Sequence, residues 1–233
     1  MNGDVERARS SSGMERGFFL TFEGIEGSGK STHARRLHRE LSDTNYCVSL
    51  TREPGGTALG EALRNVLLEP GPEPMSYEAE LFIILAARAQ HVRRRILDRL
   101  DHGEIVISDR FSEASLAYQG GGRGLGLDAV RAANRLATGG LVPDLTILCD
   151  LPVAEALARV GVRERQGGET NRFDRETMEF HEAVRRTYLE LARREPERIL
   201  VIPTTGDEDG VAARILEDVE PRLKLRRAEG AII

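Results

Sequence analysis

Residues 24–32 read GIEGSGKST. The spacing is Gly, four residues, then Gly-Lys-Ser, with Gly24 and Gly29 framing a loop that Lys30 and Ser31 close. Glycines without a Cβ let successive backbone N–H groups face an anion and permit positive φ. A helix starting at Lys30 adds its unpaired N–H groups and the positive end of its dipole. Lys30 can then reach β- and γ-phosphates, and the Ser31 hydroxyl is a magnesium ligand candidate. Composition sharpens the match. The chain has 33 Lys+Arg, yet lysine occurs only at Lys30 and Lys224, so its place in this motif is not a by-product of abundance.

Outward from the loop, strand and helix patterns alternate. Residues 17–23 read as a buried strand and 31–41 as its helix. Further strands are expected at 46–51, 104–108, 144–150 and 198–202. Helices are expected at 57–68, 77 to about 100, 111–118, 127–137, from near Pro152, and at 174–194 and 207–223. A glycine-rich turn is expected at 120–126. Five apolar strands, each followed by helix, predict an α/β fold whose mostly parallel sheet is covered on both faces. Ligands in such sheets sit beyond the carboxyl ends of the strands. That rule selects 23–31, 51–56, Asp109-Arg110 and 150–152.

A chain of 233 residues suits one domain with a mobile lid. Residues 1–16 are polar and aperiodic and are expected to be a disordered extension, with 17–223 the domain and 224–233 a tail. Aromatic residues are 5% with no Trp, and net charge is −5, which argues against nucleic-acid stacking surfaces and polybasic membrane binding. No apolar run reaches membrane-spanning length and no secretory segment opens the chain, so a cytoplasmic protein is expected. Cys47 and Cys149 lie in apolar runs and are expected to be buried free thiols.

Several side chains around these strand ends could carry chemistry. Asp109 can hold Mg²⁺ or its water shell, and Arg110 can clamp a phosphate. Arg88 follows the apolar run 81–87, so its charge must meet an anion or remain poorly solvated. Gln119 can read an amide-like base edge, and Tyr118 can wall a sugar. Arg159, Arg163 and Arg165 precede the break QGGETN at 166–171, and Arg172 follows it; such a segment suits a lid that offsets phosphoryl charge.

Together, FEGIEGSGKST, TREPGG, the AAR ending at Arg88, SDR with SLAYQGGGRG, PDLTILCD and NRFD resemble the thymidylate kinase family over about 17–223. The resemblance implies a P-loop nucleoside monophosphate kinase fold with a five-stranded parallel sheet and a lid at about 159–173. It implies transfer of the ATP γ-phosphoryl to dTMP, giving dTDP in dTTP biosynthesis, with Mg²⁺ as cofactor and a homodimer as the assembly. Gly24, Ile25, Glu26, Gly27, Ser28, Gly29, Lys30, Ser31 and Thr32 are then expected around ATP, and Ser31 and Asp109 at the metal. Glu26, Glu53, Arg64, Ile84, Arg88, Arg110, Ser115, Tyr118 and Gln119 are expected around dTMP. Lys30 and Arg110 are expected to act in catalysis. Some members carry a catalytic Arg inside the loop where this chain has Gly27, which passes that task to Arg163, Arg165 or Arg172, as in the bacterial lid type. One departure stands out: Ile84 replaces the Phe that usually stacks on thymine. The alternative readings are another nucleoside monophosphate or deoxynucleoside kinase, or a P-loop regulatory switch. The switch would need a guanine-reading Asn-Lys-x-Asp segment, which this sequence lacks.

Overall fold

The computed structural model describes residues 16–69, 73–168 and 170–232. Among them, five strands form one parallel sheet in the order β2-β3-β1-β4-β5. The strands are β1 (Phe18–Glu23), β2 (Val48–Arg52), β3 (Ile105–Asp109), β4 (Leu145–Asp150) and β5 (Ile199–Pro203). Helix α1 (Lys30–Asp43) follows the loop, and α2 (Ala58–Leu68) is capped by Thr57, whose side chain accepts from Gly60 N–H. Helix α3 (Tyr77–His91) runs through a π-type segment (Val92–Ile96) into α4 (Leu97–Asp101).

Helix α5 (Ser112–Ser115) continues as π-type turns (Leu116–Gly122) and is followed by α6 (Leu127–Thr138). Then come α7 (Val153–Arg165), a 3₁₀ turn (Arg172–Arg175), α8 (Met178–Arg194) and α9 (Glu208–Ala228).

Strand β1 is central, with β3 on one side and β4 on the other, so the winding reverses at its carboxyl end. A parallel sheet opens its ligand crevice at such a reversal. Register brings the strand ends level: Phe22 and Arg52 both pair with Asp109, and Glu23 pairs with Leu148. All six residues of β1 are buried. Phe18, Leu20 and Phe22 share a core with Leu37 and Leu41 of α1 and Ile215 of α9. Phe19, on the opposite face, packs with Ile96, Leu100 and Phe111.

The structure corrects several expectations. Gly120, Gly121 and Gly122 are helical, not a turn, because α8 lies against them. A Cβ on Gly121 would sit 2.0 Å from Thr187 Oγ1, and one on Gly122 2.6 Å from the Phe180 ring. The glycines give close helix packing. Cys149 is buried but Cys47 is exposed, since it precedes the edge strand β2. Helix α9 passes Leu223 to Ala228, and Ile232 beyond it joins the core. Of the expected disordered extension 1–16, residues 1–15 lie outside the described residues. Arg16 is described, and its guanidinium pairs with Asp144 at 3.3 Å.

Candidate active site

The loop between β1 and α1 takes its shape from three glycines, with φ of 144° at Gly24, 74° at Gly27 and 87° at Gly29. A Cβ at Gly27 would lie 2.2 Å from the Ala156 carbonyl oxygen of α7, so the loop rests directly on that helix. Lys30 Nζ donates to the Ile25 carbonyl at 3.2 Å, across the loop. Burial, then Arg110, lowers the Lys30 pKa, against Glu26 and Asp109.

A cavity of about 700 Å³ opens beside this loop. Glu26, Gly27, Gly29, Lys30, Ser31 and Thr32 line it, whereas Gly24, Ile25 and Ser28 lie beneath the loop's surface. Both expected metal-site residues, Ser31 and Asp109, line the cavity. Asp109 Oδ1 is buried with no protein partner among the described residues, so a hard cation or its water fits there. His33 Nδ1, Gln119 Oε1 and Arg163 Nε, also on the lining, are buried and unpartnered in the same way.

The opposite end of the cavity is built from interlocked side chains. Arg110 has φ 77°, a left-handed conformation unusual for a side-chain-bearing residue. Six groups hold it: its N–H donates to the Phe22 carbonyl, its carbonyl accepts from the Ser108 hydroxyl at 2.8 Å, Nη1 donates to the Gly24 carbonyl at 3.0 Å and the Tyr188 hydroxyl at 3.4 Å, and Nη2 donates to Glu26 at 2.6 Å and the Tyr118 hydroxyl at 3.1 Å. The Tyr118 hydroxyl donates to Glu26 Oε2 at 2.5 Å. Burial pushes the Glu26 carboxyl up, but Arg110 and Lys30 outweigh it and hold the pKa below the ordinary range.

Arg88 is 1% exposed and resolves the choice posed by its sequence position through protein partners. Its Nε donates to Glu53 Oε2 at 2.6 Å, Nη1 to Ser115 at 2.8 Å and to Asn134, and Nη2 to the Phe111 carbonyl at 2.8 Å. One Nη2 N–H is left for a ligand among the described residues. The other Glu53 oxygen contacts His91 Nδ1 at 2.9 Å, and His91 Nε2 contacts the Thr51 hydroxyl at 2.7 Å. Burial raises the Glu53 pKa, yet Arg88 and His91 bring it below its ordinary value.

Ile84, Arg64, Ser115 and Gln119 also line this end, and Arg64 Nη1 donates to the Pro54 carbonyl at 2.9 Å. Phe82 is 64% exposed, on another face of α3, so it does not replace the aromatic ring missing at position 84.

The arginines of the expected lid separate into two pairs. Arg163 lines the cavity and pairs with Asp174 at 2.7 Å; Arg159, one turn earlier, also lines it and donates to the Thr204 carbonyl at 3.0 Å. Arg165 is exposed at the end of α7, off the cavity. Arg172 also stands off it, because its Nε donates to the Leu67 carbonyl at 2.6 Å and its Nη2 pairs with Glu80 at 2.8 Å. Sequence reading placed Arg159 in the lid segment without assigning it a site role, left His91 without one, and did not single out Glu80. A helix-face signal was available: Glu80, Ile84, Arg88 and His91 recur every three or four residues on α3.

The family model for thymidylate kinase matches residues 22–215. A thymidylate kinase of Desulfosudis oleivorans is 47% identical over 205 residues, spanning 87% of this chain and 96% of that one. One from Carboxydothermus hydrogenoformans is 49% identical over 185 residues, spanning 79% and 89%. The crystal structure of thymidylate kinase from Ehrlichia chaffeensis superposes with a TM-score of 0.72 at 31% identity, covering 88% of this chain and 99% of that one.

Proposed function

Because the chain belongs to the thymidylate kinase family, we infer that it is a dTMP kinase, transferring the γ-phosphoryl of ATP to dTMP and yielding ADP and dTDP. One observation carries the assignment of groups to roles. A single cavity has the phosphate loop at one end and, at the other, buried guanidinium and amide groups already held in place.

The dTMP phosphate is anionic at neutral pH, so the acceptor oxygen needs no general base. The work is alignment and charge neutralisation. Backbone N–H groups of the loop and Lys30 hold the ATP phosphates. Arg110 faces the dTMP phosphate while staying tied to the loop through Gly24 and Glu26, which links the positions of donor and acceptor. Glu26, ionised and fixed by the Tyr118 hydroxyl, offers its carboxylate to the sugar 3′-hydroxyl, and the Tyr118 ring crowds the 2′ position. Arg88 and Gln119 face the base over Ile84.

Mg²⁺ would be held by the Ser31 hydroxyl and by Asp109, directly or through water, and would neutralise phosphate charge when bound. Arg163, and Arg159 beside it, take the charge-offsetting task in preference to Arg165 and Arg172, which stand off the cavity.

A single domain that continues past residue 223, through α9 to Ile232, with a closing segment at about 159–173, is consistent with this division. A homodimer is supported by apolar side chains exposed on packed helices, Val66 of α2, Phe82 of α3 and Leu136 of α6, and light scattering tests it. Among the described residues no helix is long and apolar enough to cross a membrane; a cytoplasmic place is our proposal from the family.

The deciding experiment is an acceptor panel of dTMP, dUMP, dCMP and thymidine with ATP and Mg²⁺. Phosphorylation of dTMP above the others is expected; saturable transfer to thymidine but not to dTMP would sink the reading.

A further inference from the structure

Glu80 lies within α3 and is 0% exposed, and no role has been given to it. Its carboxylate is paired with two guanidinium groups: Arg123 Nη2 at 3.1 Å and Arg172 Nη2 at 2.8 Å. Toward these guanidinium groups the Glu80 oxygens act as acceptors. Gln119 Nε2 donates to Glu80 Oε1 at 2.7 Å. An amide normally can turn over and exchange its oxygen for its nitrogen. Here it cannot, because turning would set the amide oxygen against Glu80 Oε1, an oxygen that already accepts from Arg123 Nε at 3.3 Å. The consequence is visible on the other side of the amide: Gln119 Oε1 is buried and has no partner among the described residues, although Gln119 lines the acceptor end of the cavity.

We propose that Glu80 determines which base this site takes, by fixing the Gln119 amide with its acceptor oxygen available to the ligand. This rests on the reading of the site as the nucleoside monophosphate pocket. An acceptor lining the same cavity as Arg88, which keeps one N–H free among the described residues, complements a base edge with a ring N–H next to a carbonyl, as in thymine and uracil. Cytosine carries the reverse order, a bare N3 beside an amino group. It can match only by sliding one ring position, which a phosphate anchored at Arg110 resists. Ile84 supplies an apolar floor without a ring to stack, so polar matching carries more of the choice. Glu80 is thus a positioning residue: it acts on the base through Gln119 and never touches it.

The test compares kcat/KM for dTMP, dUMP and dCMP. In the unmodified protein dUMP should exceed dCMP about 10- to 100-fold, although both lack the methyl group. In Glu80→Gln the new amide can donate to Gln119 and let it turn, so the dTMP-to-dCMP ratio should fall about 10-fold or more. Glu80→Asp keeps the charge for Arg123 and Arg172 but draws the acceptor back from Gln119, and should lower the same ratio by a smaller factor. A residue that only supports the fold would depress all acceptors together and leave the ratios alone. That result in a folded variant, or equal use of dUMP and dCMP by the unmodified protein, overturns the proposal even if dTMP is a substrate. If no monophosphate accepts phosphate from ATP, the functional reading itself fails, and the proposal falls with it.

Discussion

At the loop end of the cavity the groups that meet a ligand are backbone amides, one lysine, and the guanidinium groups of Arg159 and Arg163, exposed and half-exposed. At the opposite end they are side chains whose partners are already in place: Glu53 with Arg88 and His91, Glu26 with Arg110 and Tyr118, Glu80 with Gln119. On the proposed function the first end takes a phosphate chain that any nucleoside triphosphate shares, and the second, where buried polar groups are already paired, is the one that would tell one monophosphate from another. Chemistry and stability should therefore separate along the cavity.

The largest effect is expected from Lys30→Ala, which should cut kcat by about 10³-fold. Among the described residues the Lys30 ammonium has a single hydrogen bond, to Ile25, so the urea midpoint should barely move. A large loss of stability in this variant would break the contrast between the two ends. Glu53→Ala should do the reverse. It strands the buried Arg88 charge and should cost roughly 3–5 kcal/mol of unfolding free energy, read by urea titration, together with acceptor binding.

Arg163→Ala should lower kcat by about 10-fold or more, with KM for dTMP little changed, whereas Arg165→Ala should stay within about two-fold of the parent enzyme. The reverse order would return the neutralising role to the end of α7.

The smallest effect is in pH dependence. Burial, then the charge of Glu113, pushes the Glu23 carboxyl from 4.5 up to about 8, against Arg110, the Tyr188 hydroxyl and Phe111 N–H. Between those values the folded chain keeps a proton that the unfolded chain has released, so this group's contribution to stability falls as pH rises from 4.5 to about 8. Glu23→Gln should flatten that part of the thermal midpoint against pH. An unchanged slope would show that Glu23 is ionised in the folded protein, and that the acceptor end carries one more buried charge than described.

The same contrast explains what could be read in advance. The loop was legible residue by residue because backbone geometry imposes its glycines, Lys30 and Ser31 in consecutive order. The parallel sheet was legible because buried strands leave apolar runs. The acceptor end joins β1, β2, α3, the π-type turns after α5 and α8, and contacts between elements leave no local pattern. Motif resemblance named Glu53, Arg88 and Gln119, but not the residues behind them, His91, Asn134 and Glu80. Arg110 was legible as a phosphate clamp, but its left-handed backbone was not, because that is set by Phe22, Gly24 and Glu26, which lie far from it in sequence. Only the first half of the turn expected at 120–126 was misjudged: Gly120–Gly122 are helical against α8, while 123–126 form the turn, with Gly124 and Gly126 at positive φ. Glycine serves loops and tight helix contacts alike, and only the presence of α8 decides which.

The closeness of Gly27 to α7 also constrains what this loop can carry. With no room for a side chain beyond hydrogen, and a backbone that disfavours one, an arginine cannot be moved into this loop by changing one codon. Helix α7, the same helix that carries Arg159 and Arg163, would have to retreat first. In this chain, gaining a cation in the loop and keeping those on the helix are thus opposed by geometry.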